Sequence, residues 1–189
     1  MDDNLCTSCN LCCDGTLFNS LALTSAEAAR LNGDIIVRAT PQGGQEMPQP
    51  CTRLGACGKC AIYEARPGKC RSYKCDLLKD VEAGEIDAGF ARTVVARVKA
   101  MQAPCIAACR SVLPDGAWDD SISSAHEAIE FVVARGAADM EDPVFVEALF
   151  LWNVCMSYIR LRIQTRWRQP DEGKGVSRVH RGTEPSAAA

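Results

Sequence analysis

Apolar side chains recur at helical spacing through the second half of the chain and lose that regularity in the first 80 residues. Asp87 is placed to cap a helix whose Phe90, Val94, Val98 and Met101 share one face, and Pro104 is expected to stop it. Ile122, Ala125, Ile129 and Val133 mark a second amphipathic segment. Asp142-Pro143 then supplies a cap and a first-turn proline for a long final helix. Its stripe is Phe145, Leu149, Trp152, Met156, Ile159 and Ile163. Upstream, Asp76 is expected to cap a shorter helix over 77–83 that breaks at Gly84.

The first part of the chain reads differently. Thr24-Ser-Ala-Glu27 is a capping box opening a short helix that Asn32-Gly33 can close. Ile35-Ile36-Val37-Arg38-Ala39 reads as a short strand, and Pro41-Gln-Gly-Gly44 favours a turn, so a short hairpin is expected here. From Gln169 the chain is polar and nearly devoid of large apolar residues, and 169–189 is expected to be a disordered tail. No internal repeat is evident. The fold class that follows is mainly α: a small irregular cysteine-rich head over 1–80, with a short β-hairpin, packed on a helical region over 81–168 of the same domain. A chain of 189 residues is long enough to bury such a core.

Charge narrows the partners. The net charge is −3 and the isoelectric point about 5.5, so no global field favours nucleic acid or an anionic membrane. The acidic start, Met-Asp-Asp-Asn-Leu-Cys, lacks the basic and apolar regions of a secretory signal, and no run is read as approaching transmembrane length. The expected location is the cytoplasm, with no membrane partner. Twelve cysteines in that reducing compartment are poor disulfide candidates, which leaves metal binding, redox chemistry or burial.

Nine of the twelve crowd the first 75 residues. Cys6-x2-Cys9-x2-Cys12-Cys13 has the density of a ligand run: a two-residue gap lets the backbone turn so that two sulfurs face one ion while intervening amides reach those sulfurs. Asp14-Gly15 suits a tight turn beside it. A second group holds Cys51, Cys57, Cys60, Cys70 and Cys75, and the fold must bring the two together. Arg53, Lys59, Arg66, Lys69, Arg71 and Lys74 surround this group with Glu64 alone opposing them, a setting expected to lower thiol pKa values. Cys105-x3-Cys109 shares one helical face and reads either as a metal or redox pair or as core, and Cys155 is expected to pack beside the final stripe.

These residues carry a resemblance. The run Cys6-x2-Cys9-x2-Cys12-Cys13, then Cys51, then Cys60-Ala-Ile-Tyr-Glu-Ala-Arg-Pro-Gly-Lys-Cys70-Arg-Ser-Tyr-Lys-Cys75, resembles the bacterial CxxCxxCC cysteine-cluster family over roughly the first 80 residues. That family is described as a zinc- or iron-chelating domain, and flagellin lysine-N-methylases carry a similar one. The resemblance implies eight ligands: Cys6, Cys9, Cys12, Cys13, Cys51, Cys60, Cys70 and Cys75. Cys57 departs from it, and whether Cys57 ligates is open. Arg66, Arg71, Tyr63 and Tyr73 are then supporting or packing residues around the sulfurs, with Pro67 fixing the turn between Cys60 and Cys70.

All-thiolate ligation suits zinc, copper(I) or iron-sulfur centres and disfavours magnesium and calcium. The two histidines, His126 and His180, are poorly positioned as ligands. Eight thiolates can fill two zinc sites, two cubanes or one bridged cluster. A zinc arrangement pairing the Cys6/Cys9 and Cys57/Cys60 knuckles is also open, and the dense spacing leans slightly to iron-sulfur. The leading expectation is a metal-binding protein whose partner is a metal ion or cluster. One alternative is a cluster-dependent oxidoreductase or protein-modifying enzyme, although no dinucleotide fingerprint, P-loop or HExxH is present and Asp119-Asp120 reads as helix caps. Another is a zinc-stabilised module for protein or nucleic acid, drawing on Arg160, Arg162, Arg166, Trp167 and Arg168, with nucleic acid the less favoured.

Overall fold

The computed structural model describes residues 5–114, 116, 118–136 and 140–164. Helices α1 (Leu5–Cys9), α2 (Ser25–Leu31), α3 (Gly68–Ser72) and α4 (Asp76–Glu82) belong to the head and its junction. The body is α5 (Ala88–Arg110), α6 (Ile122–Ala134) and α7 (Pro143–Arg162). Strands β1 (Ser20–Leu23), β2 (Arg38–Ala39) and β3 (Gln45–Pro48) form one antiparallel sheet in the order β1-β3-β2. The mainly α class with a small hairpin is therefore what the chain adopts. The hairpin is β2–β3, closed by the Thr40 N–H to Gly44 O bond, while β1 is an added strand pairing Ser20 with Pro48 and Leu23 with Gln45. Ile35 to Val37 stay outside the sheet, so the predicted strand over 35–39 is reduced to its last two residues.

Local signals explain most helix starts. The Thr24–Glu27 capping box forms in full, and Asn32 caps the other end ahead of Gly33 at φ +88°. Asp87 accepts from Phe90 N, and Asp142 from Val144 N with Pro143 in the first turn. Two predicted caps shift. Cys75, not Asp76, is the N-cap of α4, and the buried Asp76 carboxylate pairs with Lys79 at 2.8 Å. Ser121 caps α6; Asp119 braces Ser121 N, and Asp120 instead makes paired bonds of 2.9 and 2.8 Å with Arg110.

Pro104 does not stop α5, which continues to Arg110. Proline removes the bond to the carbonyl four residues back. Here Pro104 and Ala100 both lie on the exposed side, where water can satisfy that carbonyl, while Cys105 and Cys109 are buried on the other side. Packing outweighs the local penalty. The α6 and α7 stripes bury as predicted at Ile122, Ala125, Ile129, Phe145, Trp152, Met156, Ile159 and Ile163. Phe90 and Val133, predicted on core faces, are exposed.

Two hydrophobic cores result. The large one joins α5, α6 and α7 and also takes Leu5, Leu11 and Leu77 from the head. The small one holds Leu23, Ala28, Leu31, Ile35 and Met47 between α2 and the sheet. The reading that no run approaches transmembrane length fails for α7, which is long and apolar enough by length and composition, although 33% of its apolar window is buried inside the protein. Its outer side leaves Val146, Phe150, Val154 and Leu161 exposed.

Candidate metal centre

The CxxCxxCC run is fastened to the helical body. After α1, Asn10 takes φ +61° and its carbonyl accepts from Cys13 N (2.7 Å) and Asp14 N (3.0 Å), which folds Cys12 and Cys13 back beside Cys9. Leu11, between the paired cysteines, is fully buried in the large core. Lys99 of α5 donates to Ser8 O at 3.0 Å, and Gln102, one turn on, donates to Asp14 and to Thr16. Gly15, at φ +77°, accepts from Ser123 N and Oγ, and a Cβ there would stand 2.5 Å from Ser121 Cβ. The turn predicted at Asp14-Gly15 is thus also a docking point for α6.

The facing wall grows from the small core. Cys51 N donates to Cys13 O at 2.8 Å, joining the walls through the backbone. Leu54 N returns to Cys51 O, and Leu54 bridges to Cys60, so Cys51 and Cys60 belong to one closed loop. Pro67, buried, precedes α3, and Glu27 Oε1 accepts from Gly68 N, which hangs the Cys70 segment on α2. Tyr73 meets Phe18 edge-on at 4.9 Å, and the Arg66 guanidinium lies 3.5 Å from the Tyr63 ring centroid while donating to Tyr63 O.

Between the walls lies a cavity of about 540 Å³. All eight cysteines expected as ligands, Cys6, Cys9, Cys12, Cys13, Cys51, Cys60, Cys70 and Cys75, line it, as do Tyr63, Arg66, Pro67 and Tyr73. Cys57 is exposed and outside the lining. Lys59, Arg66 and Lys69 border the cavity, and among the described residues no acidic side chain or histidine does. Of the other predicted cations, Arg53 pairs with Asp34, Lys74 with Glu82, and Arg71 is exposed away from the lining. Among the described residues, no three His, Cys, Asp or Glu side chains stand in the arrangement of a finished metal site. The sulfurs ring a space without meeting at a point.

Burial dominates the thiols. It pushes Cys9 and Cys13 up to about 12 and Cys70 up to about 11, and it raises Cys6, Cys12, Cys51 and Cys75 as well. Arg66 and Lys74 pull Cys6 the other way, and Arg66 pulls Cys70, without reversing the shift. The expectation that surrounding cations lower these thiols is therefore corrected: desolvation is the larger effect. Neutral thiols can share so apolar a space, whereas thiolates there require a compensating cation.

Gln49 lines the cavity, is 4% exposed, and its side-chain oxygen has no hydrogen-bond partner. Its amide, turned by half a turn, offers N–H donors to thiolate sulfur. Thiol donors, bordering cations and a buried amide with an unpartnered oxygen fit a centre carrying excess negative charge on sulfur.

The remaining candidates lie elsewhere. Cys105 and Cys109 do share a face of α5, but they are buried in the large core, hydrogen-bonded through Cys105 to each other and to Cys155 of α7. Those bonds, with burial, keep the Cys109 and Cys155 thiols up and protonated. His126 stacks on Trp152 at 5.3 Å and sits 3.4 Å from Glu130, away from the cavity. His180, Arg166, Trp167, Arg168 and the predicted tail lie outside the described residues. Sequence reading missed Lys99, Gln102, Glu27 and Phe18 as supports. For the first two a signal existed, because polar residues three apart interrupt the core side of α5. No protein-family model, no curated protein and no solved structure matches this chain.

Proposed function

We propose that this is a metal-thiolate protein of the CxxCxxCC type, holding an iron-sulfur centre in the cavity between its two cores. The observation that carries the reading is the convergence of all eight motif cysteines on one cavity bordered by cations, with no carboxylate among its described lining residues. Buried thiols of raised pKa favour a cation, because metal binding supplies the charge that lets them ionise. The cavity's size favours a polynuclear centre over a single zinc ion. At Zn–S distances of about 2.3 Å a four-thiolate zinc site draws its sulfurs to within roughly 4 Å of one another, whereas these sulfurs surround a space of about 540 Å³. When bound, the centre would clasp the head to the body and supply one-electron chemistry or cluster transfer. A cytoplasmic location accords with all twelve cysteines being free thiols.

Anaerobic purification followed by visible absorption and analysis of iron, acid-labile sulfide and zinc tests this reading. Brown protein with iron and sulfide is expected. Colourless protein with zinc alone overturns the iron-sulfur assignment, and protein with no metal overturns the reading altogether.

A further inference from the structure

We infer that the cavity holds two separate four-thiolate centres, one on Cys6, Cys9, Cys12 and Cys75 and the other on Cys13, Cys51, Cys60 and Cys70, with the peptide link between Cys12 and Cys13 as their boundary. This rests on the metal-thiolate reading and deepens it. The division is not the one along the chain, where Cys13 groups with Cys6, Cys9 and Cys12, and Cys75 with Cys51, Cys60 and Cys70.

Packing draws the line first. Cys9 and Cys75 pack against the large core, and Cys51 and Cys70 against the small one. The backbone draws it again. Cys75 is the N-cap of α4, whose Asp76 N–H is held by Ile163 O at the end of α7 at 3.1 Å, so this thiol travels with the helical body and with α1. Cys13 instead gives its carbonyl to Cys51 N at 2.8 Å. Cys60 closes onto the Cys51 loop through Leu54, and Glu27 of the small-core helix α2 fixes Gly68 two residues before Cys70.

Adjacent cysteines suit this role, since successive side chains diverge and one ion can hold both only with strain. Each set supplies four thiolates, the number that completes a cubane or a tetrahedral site. Cys57 belongs to neither.

The experiment uses the full-length protein with the metal it carries on purification. A chelator titration, with alkylation of released thiols and mass spectrometry of the peptides, is expected to free the cysteines in two quartets of the stated membership. Release of all eight together, or in quartets that keep Cys13 with Cys12 or Cys75 with Cys70, overturns the division while leaving the metal reading standing. Absence of metal from the starting protein overturns the metal reading and, with it, the division. In parallel, Cys9→Ala and Cys70→Ala are each expected to retain about half the wild-type metal per chain, and the double variant none. Complete loss from either single variant that keeps the wild-type far-ultraviolet circular dichroism overturns two independent centres. The titration on unmodified protein decides the question should a variant fail to fold.

Discussion

Leaving aside the exposed Cys57, the protein has two populations of cysteine, which differ both in depth and in what surrounds them. The eight that line the cavity have cations at its border and are held by turns and loops whose own cores lie behind them. Cys105, Cys109 and Cys155 are buried among aliphatic side chains at the α5–α7 interface, where their hydrogen-bond partners are one another. A buried cysteine in close-packed surroundings acts as a small hydrophobe, while one facing a cavity with convergent thiols and cations has ligand chemistry open to it. The difference teaches that Cys density along a chain marks a ligand run only where the fold leaves space at its centre.

Four measurements would break or sharpen that contrast. The largest effect is expected from stripping the metal, because structural thiolate sites contribute on the order of 10 kcal/mol to folding. Chelation should lower Tm steeply and erase the near-ultraviolet dichroism of Tyr63 and Tyr73, and an unchanged melting curve would remove the metal from any structural role. Next, Ile159→Ala in the large core should cost about 2–5 kcal/mol in urea unfolding, yet leave the metal per chain at its wild-type value.

The third is a matched pair. Cys109→Ser should cost about 1–3 kcal/mol by burying a hydroxyl with a poor partner, with no metal lost. Cys12→Ser should lower the metal content measured by elemental analysis, and equal metal in both variants would abolish the distinction between the two populations. The smallest effect concerns Glu27, whose pKa is held down to about 2 by hydrogen bonds from Gly68 N, Thr24 N and the Thr24 hydroxyl. A depressed carboxylate contributes stability above its ordinary value of 4.5, and that contribution fades as pH falls from there towards 2. Glu27→Gln should therefore flatten stability against pH over that window by less than about 1 kcal/mol, since the group is exposed and screened.

The helical half was largely legible from sequence. Caps at Asp87 and Asp142 and the stripe from Phe145 to Ile163 are local or periodic signals, and they appear where expected, as does the Thr24 cap in the head. The errors share one cause. Pro104 inside α5 and exposed Phe90 both turn on which side of a helix meets α7, which spacing within one segment does not specify. In the head, the short strand β1 carries no turn signal of its own; it exists because β3 presents an open edge for Leu21 to Leu23.

By itself the sequence determined the reagents: twelve cysteines, eight of them in a recognisable spacing, a basic run beside the second group, and helices with defined starts. Those follow from residue identity and separations of a few residues, where backbone geometry leaves few choices. Tertiary structure alone decided which thiols face a common space, that Cys57 and the α5–α7 trio do not, and that desolvation outweighs the nearby cations. It also decided that Cys13 sides with Cys51 and Cys75 with Cys9. The physical reason is that burial and proximity are set by two cores assembled from distant segments, and the cavity exists only where those cores stop short of each other.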